Sequence, residues 1–60
     1  MRIVVRMTWS SGKNQWHMEL PDGTFIQEFY YCENVSKLFS GLSKDKPKLY
    51  KITVEEYNNE

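Results

Sequence analysis

Thr24-Phe25-Ile26-Gln27-Glu28-Phe29-Tyr30-Tyr31 is the stretch on which the fold turns. Read as a strand, it puts Phe25, Gln27, Phe29 and Tyr31 on one face and Ile26, Glu28 and Tyr30 on the other. Both faces then carry bulky groups, so the pattern alone does not say which is inside. A helix starting at Thr24 is the competing reading. The strand is preferred because a short, aromatic-rich run directly after Asp22-Gly23 pairs back on the strand before it. Pro21-Asp22-Gly23 itself reads as a turn. Proline presets the first dihedral, aspartate bonds nearby backbone, and glycine accepts a positive φ.

Upstream of that turn the pattern is cleaner. From Met1 to Trp9 the chain alternates, with Ile3, Val5, Met7 and Trp9 on one face and Arg2, Arg6 and Thr8 on the other. Val4 is the one exception. Trp16, Met18 and Leu20 alternate in the same way with Gln15, His17 and Glu19. Period two with apolar residues on one side is the mark of a half-buried strand. Ser10-Ser11-Gly12-Lys13-Asn14 between the two runs has turn composition, so the pair predicts an antiparallel hairpin.

Downstream, Asn34 is placed to cap a helix whose apolar stripe is Val35, Leu38, Phe39 and Leu42, the spacing of one helical face. Lys44-Asp45-Lys46-Pro47 stops it, because the residue before proline disfavours helical geometry. The predicted helix therefore runs over 34–44. Leu49 to Val54 alternates again, with Tyr50, Ile52 and Val54 on one face. The tail Asn58-Asn59-Glu60 is expected to fray. The expected fold class is α+β: a small antiparallel sheet in the order β-β-β-α-β, one helix on one face, and a single domain over 1–60. The second face of such a sheet, and its edge strands, are left for docking.

With 60 residues the chain holds one small domain and no room for a deep private cavity. Aromatics make up 15 % of it and offset the small core, because each buries a large area. Eight basic and eight acidic side chains give a formal net charge of zero, spread evenly over the two halves. That balance argues against a conventional nucleic-acid binder, which carries a basic excess or a basic face. The lone cysteine, Cys32, cannot form an internal disulfide and favours a reducing compartment. No apolar run approaches a membrane span, so the expectation is a cytoplasmic protein without a membrane partner.

Candidate chemistry is sparse. His17 is the only histidine, and with Cys32 it would make an incomplete thiol–imidazole pair lacking an orienting group. The simpler reading is an exposed histidine on a strand's polar face and a small buried thiol. One cysteine and one histidine do not complete a four-ligand zinc site. Glu55 and Glu56 are adjacent and would face opposite ways on a strand. Gly12, Gly23 and Gly41 are isolated, so no phosphate-cradling loop is present. The lysines around Pro47 read first as a solvated loop. Neither enzyme activity, metal nor cofactor is expected. The aromatics of 25–31 are the strongest lead: they suit either a protein interface or the stacking of unpaired bases.

The chain resembles the Dmd family, the small antitoxins of T-even bacteriophages. The resemblance lies in its length, in the hairpin with Lys13-Asn14 after Trp9, in Val35-Ser36-Lys37 opening an apolar helix, and in Lys48-Leu49-Tyr50-Lys51-Ile52. It spans nearly the whole chain, with a shortening of a few residues between the second strand and the helix. It implies a protein that binds and inhibits a host endoribonuclease toxin of the RnlA/LsoA type and so protects phage mRNA in the infected bacterial cytoplasm. In the family a tryptophan before the helix and an asparagine at its start insert into the toxin. Here Gln27 and Ser36 stand at those places, so Phe29 and Asn34 are the chemical substitutes. Phe25, Gln27, Phe29, Tyr31, Asn34 and Ser36 are thus the expected partner-binding residues. The alternative function is a small single-stranded RNA-binding module that uses sheet-surface aromatics.

Overall fold

A computed structural model describes residues 1–58; Asn59 and Glu60, part of the expected frayed tail, lie outside the described residues. The elements are β1 (Arg2–Ser10), β2 (Gln15–Glu19), β3 (Phe25–Tyr30), α1 (Glu33–Leu38) and β4 (Lys48–Thr53). The four strands form one sheet in the order β3-β2-β1-β4, with every neighbouring pair antiparallel. The fold is the expected α+β arrangement, and the segment 25–30 is a strand.

β1 is long because it serves two partners. Its first half pairs with β4, from Arg2 opposite Thr53 to Met7 opposite Lys48. Its second half pairs with β2, from Arg6 opposite Glu19 to Ser10 opposite Gln15. The two turns that build the β1-β2-β3 meander follow their composition. In the first, Asn14 takes a positive φ of 55°, which a short polar side chain tolerates. In the second, Gly23 N–H donates to Leu20 O at 2.9 Å and Gly23 sits at φ 95°. The Asp22 carboxylate accepts the Thr24 N–H at 2.9 Å.

The alternation of β1 and β2 places the core as expected, except that Gln15, assigned to the polar face, is only 3 % exposed. Val5, Met7 and Trp16 are about 1 % exposed, and Met18 joins them. Ile3, Trp9, Phe29, Val35, Phe39, Leu42, Tyr50 and Ile52 pack around this centre. The aromatic members interlock edge to face: Trp9 with Trp16 at 5.3 Å between ring centroids, Trp16 with Phe39 at 5.9 Å, and Phe29 with Phe39 at 5.1 Å. Such pairs add about 0.5–1.5 kcal/mol each beyond their buried area.

Several expectations fail, most for a local reason. First, Phe25 and Phe29 do not share a face. Glu19 is opposite Phe25 while Met18 is opposite Gln27, so Ile26 is an extra residue and the strand bulges there. A bulge shifts the side-chain phase by one residue, turning Phe25 to the face of His17 and leaving Phe29 on the face of Trp16. Second, α1 ends at Leu38, not at 44. Phe39 leaves helical geometry at φ −105° and ψ 20°, just before Ser40 and Gly41, both weaker helix formers than alanine. The chain then turns tightly, with Leu42 N–H donating to Phe39 O at 3.0 Å. Third, the cap position belongs to Cys32, and Asn34 lies one residue inside the helix. Cys32 is exposed, so the expected buried thiol is not found. Fourth, three members of the apolar stripe, Val35, Phe39 and Leu42, reach the core, but Leu38 is 71 % exposed. Beyond β4, Val54 is also exposed; its N–H donates to Met1 O at 2.7 Å.

Candidate functional site

The short helix decides how much of the sheet's apolar face is left uncovered. Six residues cover a length of about 9 Å, too little to roof the apolar face of a four-stranded sheet. The uncovered part forms a groove of about 410 Å³. Met7 and Met18 lie in the middle strands under it, Phe29 comes from β3, Tyr50 and Ile52 from β4, and Leu38 from the end of α1. Phe39 and Leu42 also line this groove and line a second, smaller cleft of about 210 Å³, so the two lie side by side with these side chains as a shared wall.

The smaller cleft has a different chemistry. Trp16, Tyr31 and Phe39 give it aromatic walls, while Ser36 and Ser40 bring hydroxyls. Tyr31 donates its hydroxyl to Ser36 Oγ at 3.4 Å. Lys44 also lines the cleft, with Nζ 4.3 Å from the Trp9 ring centroid and 5.3 Å from that of Tyr31. A cation over two aromatic rings is held by their quadrupoles, which orders an otherwise flexible side chain. The loop bearing Lys44 is tied down as well, since Ser43 N–H donates to Tyr50 Oη at 2.9 Å.

The opposite face of the sheet mixes charged side chains with exposed apolar ones, among them Val4, Phe25, Tyr30 and Leu49. Arg6 Nη1 donates to Glu19 Oε1 at 3.1 Å, and His17 Nε2 lies 3.1 Å from Glu19 Oε2. His17 Nδ1 lies 3.5 Å from a Glu28 carboxylate oxygen. The Arg6 hydrogen bond, followed by that of His17, holds the Glu19 carboxyl below the usual carboxylate range. The His17 nitrogens are thus directed at carboxylates of its own sheet. Among the described residues no group of three or more metal-ligating side chains comes together, and no helix is long and apolar enough to cross a membrane.

The six residues singled out from the sequence do not form one patch. Tyr31 and Ser36 meet at the smaller cleft. Phe29 is on the same side but is half-buried and packs on Phe39. Gln27 is exposed beyond it, opposite Met18, and donates its amide to Glu28 O at 3.2 Å. Asn34 is exposed on α1. Phe25 is on the far face, its ring 5.3 Å from that of His17. Sequence reasoning missed Leu38, Phe39 and Leu42 as groove walls and Lys44 as the cation at the cleft. Ser40 and Gly41, read as helix-ending rather than helix-tolerated, were the available signal. No family model, curated protein or solved structure matches the chain.

Proposed function

We propose that this protein is a stoichiometric protein-binding module, and that its partner is an endoribonuclease toxin of the kind the Dmd resemblance implies. The observation that carries the reading is the 410 Å³ apolar groove beside the exposed Leu38. Exposed apolar surface next to a rigid sheet is what a protein partner hides, and aromatic or aliphatic anchors dominate such interfaces. The sites where an enzyme would need convergent reactive groups are filled otherwise: His17 is engaged by Glu19 and Glu28, and Cys32 is exposed at the start of α1.

Base stacking is the weaker use of the exposed aromatics. Phe25 and Tyr30, 56 % and 75 % exposed, lie on or beside the strand that carries Glu28, opposite Glu19 and Gln15. Arg6 and His17 on that face are engaged by Glu19 and Glu28, so they are not free to meet the phosphates of a strand laid over the rings. The antitoxin role is tested with a purified RnlA/LsoA-type toxin and a labelled RNA. One equivalent of the wild-type chain is expected to stop cleavage. Undiminished cleavage at about tenfold excess, with no complex on a sizing column, overturns it.

A further inference from the structure

The geometry points to one kind of occupant for the groove and cleft together: a protein segment that carries apolar residues and ends in aspartate or glutamate. This rests on the protein-binding part of the function proposed above. Its apolar half follows from the groove, and its acidic end follows from charge complementarity at Lys44.

Several observations place the acid. Lys44 lines the cleft that shares Phe39 and Leu42 with the groove, so a segment crossing those two side chains reaches both. Its ammonium is held at 4.3 Å over Trp9 and 5.3 Å from Tyr31, so its position is set before a partner arrives. None of the ion pairs among the described residues involves Lys44. The Ser36 hydroxyl, which accepts from Tyr31 in the same cleft, keeps its own proton to donate to a second carboxylate oxygen. The acidic groups Glu19 and Glu28 are on the other face, engaged with Arg6 and His17, and do not compete. Lys48 pairs with Met7 in the β1–β4 ladder and so extends from the groove side of the sheet, adding a second cation near the groove. A carboxylate here gains a charge-assisted contact in a partly desolvated site, while a lysine or arginine at the same place meets like charge.

The test uses the whole chain, labelled with nitrogen-15, and two capped amphipathic peptides of about 12 residues. Both carry the same leucine positions; one has glutamates at both ends, the other lysines. The glutamate peptide is expected to shift the amide signals of Leu38, Phe39, Leu42 and Lys44 and to bind at least about fivefold more tightly than the lysine peptide. Lys44→Glu is expected to reverse that preference, and Leu38→Asp to weaken both peptides. Both residues are exposed, so melting temperatures near wild type show that the fold is retained. Equal binding of the two peptides overturns the proposal, as does a preference that Lys44→Glu leaves unchanged. So do shifts confined to Phe25 and Tyr30, or an oligouridylate that displaces the glutamate peptide from Lys44. A chain that takes the glutamate peptide but leaves the toxin active refutes the antitoxin reading alone. A chain that stops the toxin without any effect of Leu38→Asp or Lys44→Glu refutes this assignment alone.

Discussion

Phe29 and Phe39 meet edge to face with ring centroids 5.1 Å apart, and through this contact the third strand and the end of the helix share one core. The helix itself buries no residue completely, so its attachment depends on Val35, Phe39 and Leu42. Phe29 is therefore a structural residue first and a groove wall second.

Phe29→Ala removes half of that contact and is expected to cost about 2–4 kcal/mol, somewhat less than a fully buried phenylalanine because the ring is only half-buried. For a domain of this size that is a large part of the total stability. Phe25→Ala, on the far face, is expected to stay within about 1 kcal/mol of wild type. Urea unfolding followed by tryptophan fluorescence measures both. Equal losses for the two variants would show that the bulge at Ile26 does not separate them.

The contrast between those residues marks where the sequence is readable. β1 and β2 alternate with few exceptions, Val4 in the sequence and the buried Gln15 in the structure, so Val5, Met7, Trp16 and Met18 are assigned to the core from spacing alone. In β3 both phases are apolar, and a single extra residue, Ile26, reverses the phase without any distinctive local signature. The helix was overextended for a related reason. Phe39 and Leu42 fall at helical spacing, yet they reach the core from a turn, because the apolar face is satisfied by any backbone that delivers the side chains there. The groove was illegible for the same cause, since it exists only where the helix stops short. Lys44 was visible as part of a basic loop, but its neighbours Trp9 and Tyr31 are distant in sequence.

Acid should weaken the fold through Glu19. Its carboxyl is held below its usual range chiefly by the Arg6 hydrogen bond, then by His17. A depressed folded-state value means that the contribution is fully present above the unfolded carboxylate range and is lost as pH falls through the folded-state value. Stability is therefore expected to decline from about pH 5 downward. Glu19→Gln should flatten that decline while changing stability near neutrality only slightly, as the pair is partly solvent-exposed. Thermal melts from neutral to acid pH compare the two. An unchanged acid limb in Glu19→Gln would assign the pH dependence to other carboxylates.

Gly23 and Gly41 are expected to respond oppositely to alanine. Space is open around both, so neither substitution creates a clash. Gly23 sits at φ 95°, where an L side chain is strained, and Gly23→Ala should cost about 1 kcal/mol. No positive φ constrains Gly41, and Gly41→Ala should be neutral or add about 0.4–1 kcal/mol by reducing the freedom of the unfolded chain. Denaturant midpoints read both effects. A destabilising Gly41→Ala would show that the turn after α1 needs glycine for a reason other than dihedral strain.

The Tyr50 hydroxyl joins stability to binding. It accepts the Ser43 N–H at 2.9 Å in a partly buried position and so holds the loop that carries Lys44 against β4. Tyr50→Phe keeps the ring in the core and removes only that acceptor. An N–H left without a partner in partly buried surroundings costs about 1–2 kcal/mol. In a domain this small that corresponds to a fall in melting temperature of roughly 4–8 °C for each kcal/mol. The loop also loses its tether, so Lys44 should leave Trp9 and Tyr31 part of the time. Tyr50→Phe is therefore expected to weaken the glutamate-ended peptide while leaving the lysine-ended one almost unchanged. The Lys44 and Ser43 amides should exchange with solvent faster than in wild type. Hydrogen exchange followed by nuclear magnetic resonance, run beside the peptide titration, distinguishes this from a general loosening of the core, in which Val5, Met7 and Trp16 would also lose protection. Protection unchanged at Ser43 would mean that the hydroxyl does not hold the loop, and the predicted effect on binding would fall with it.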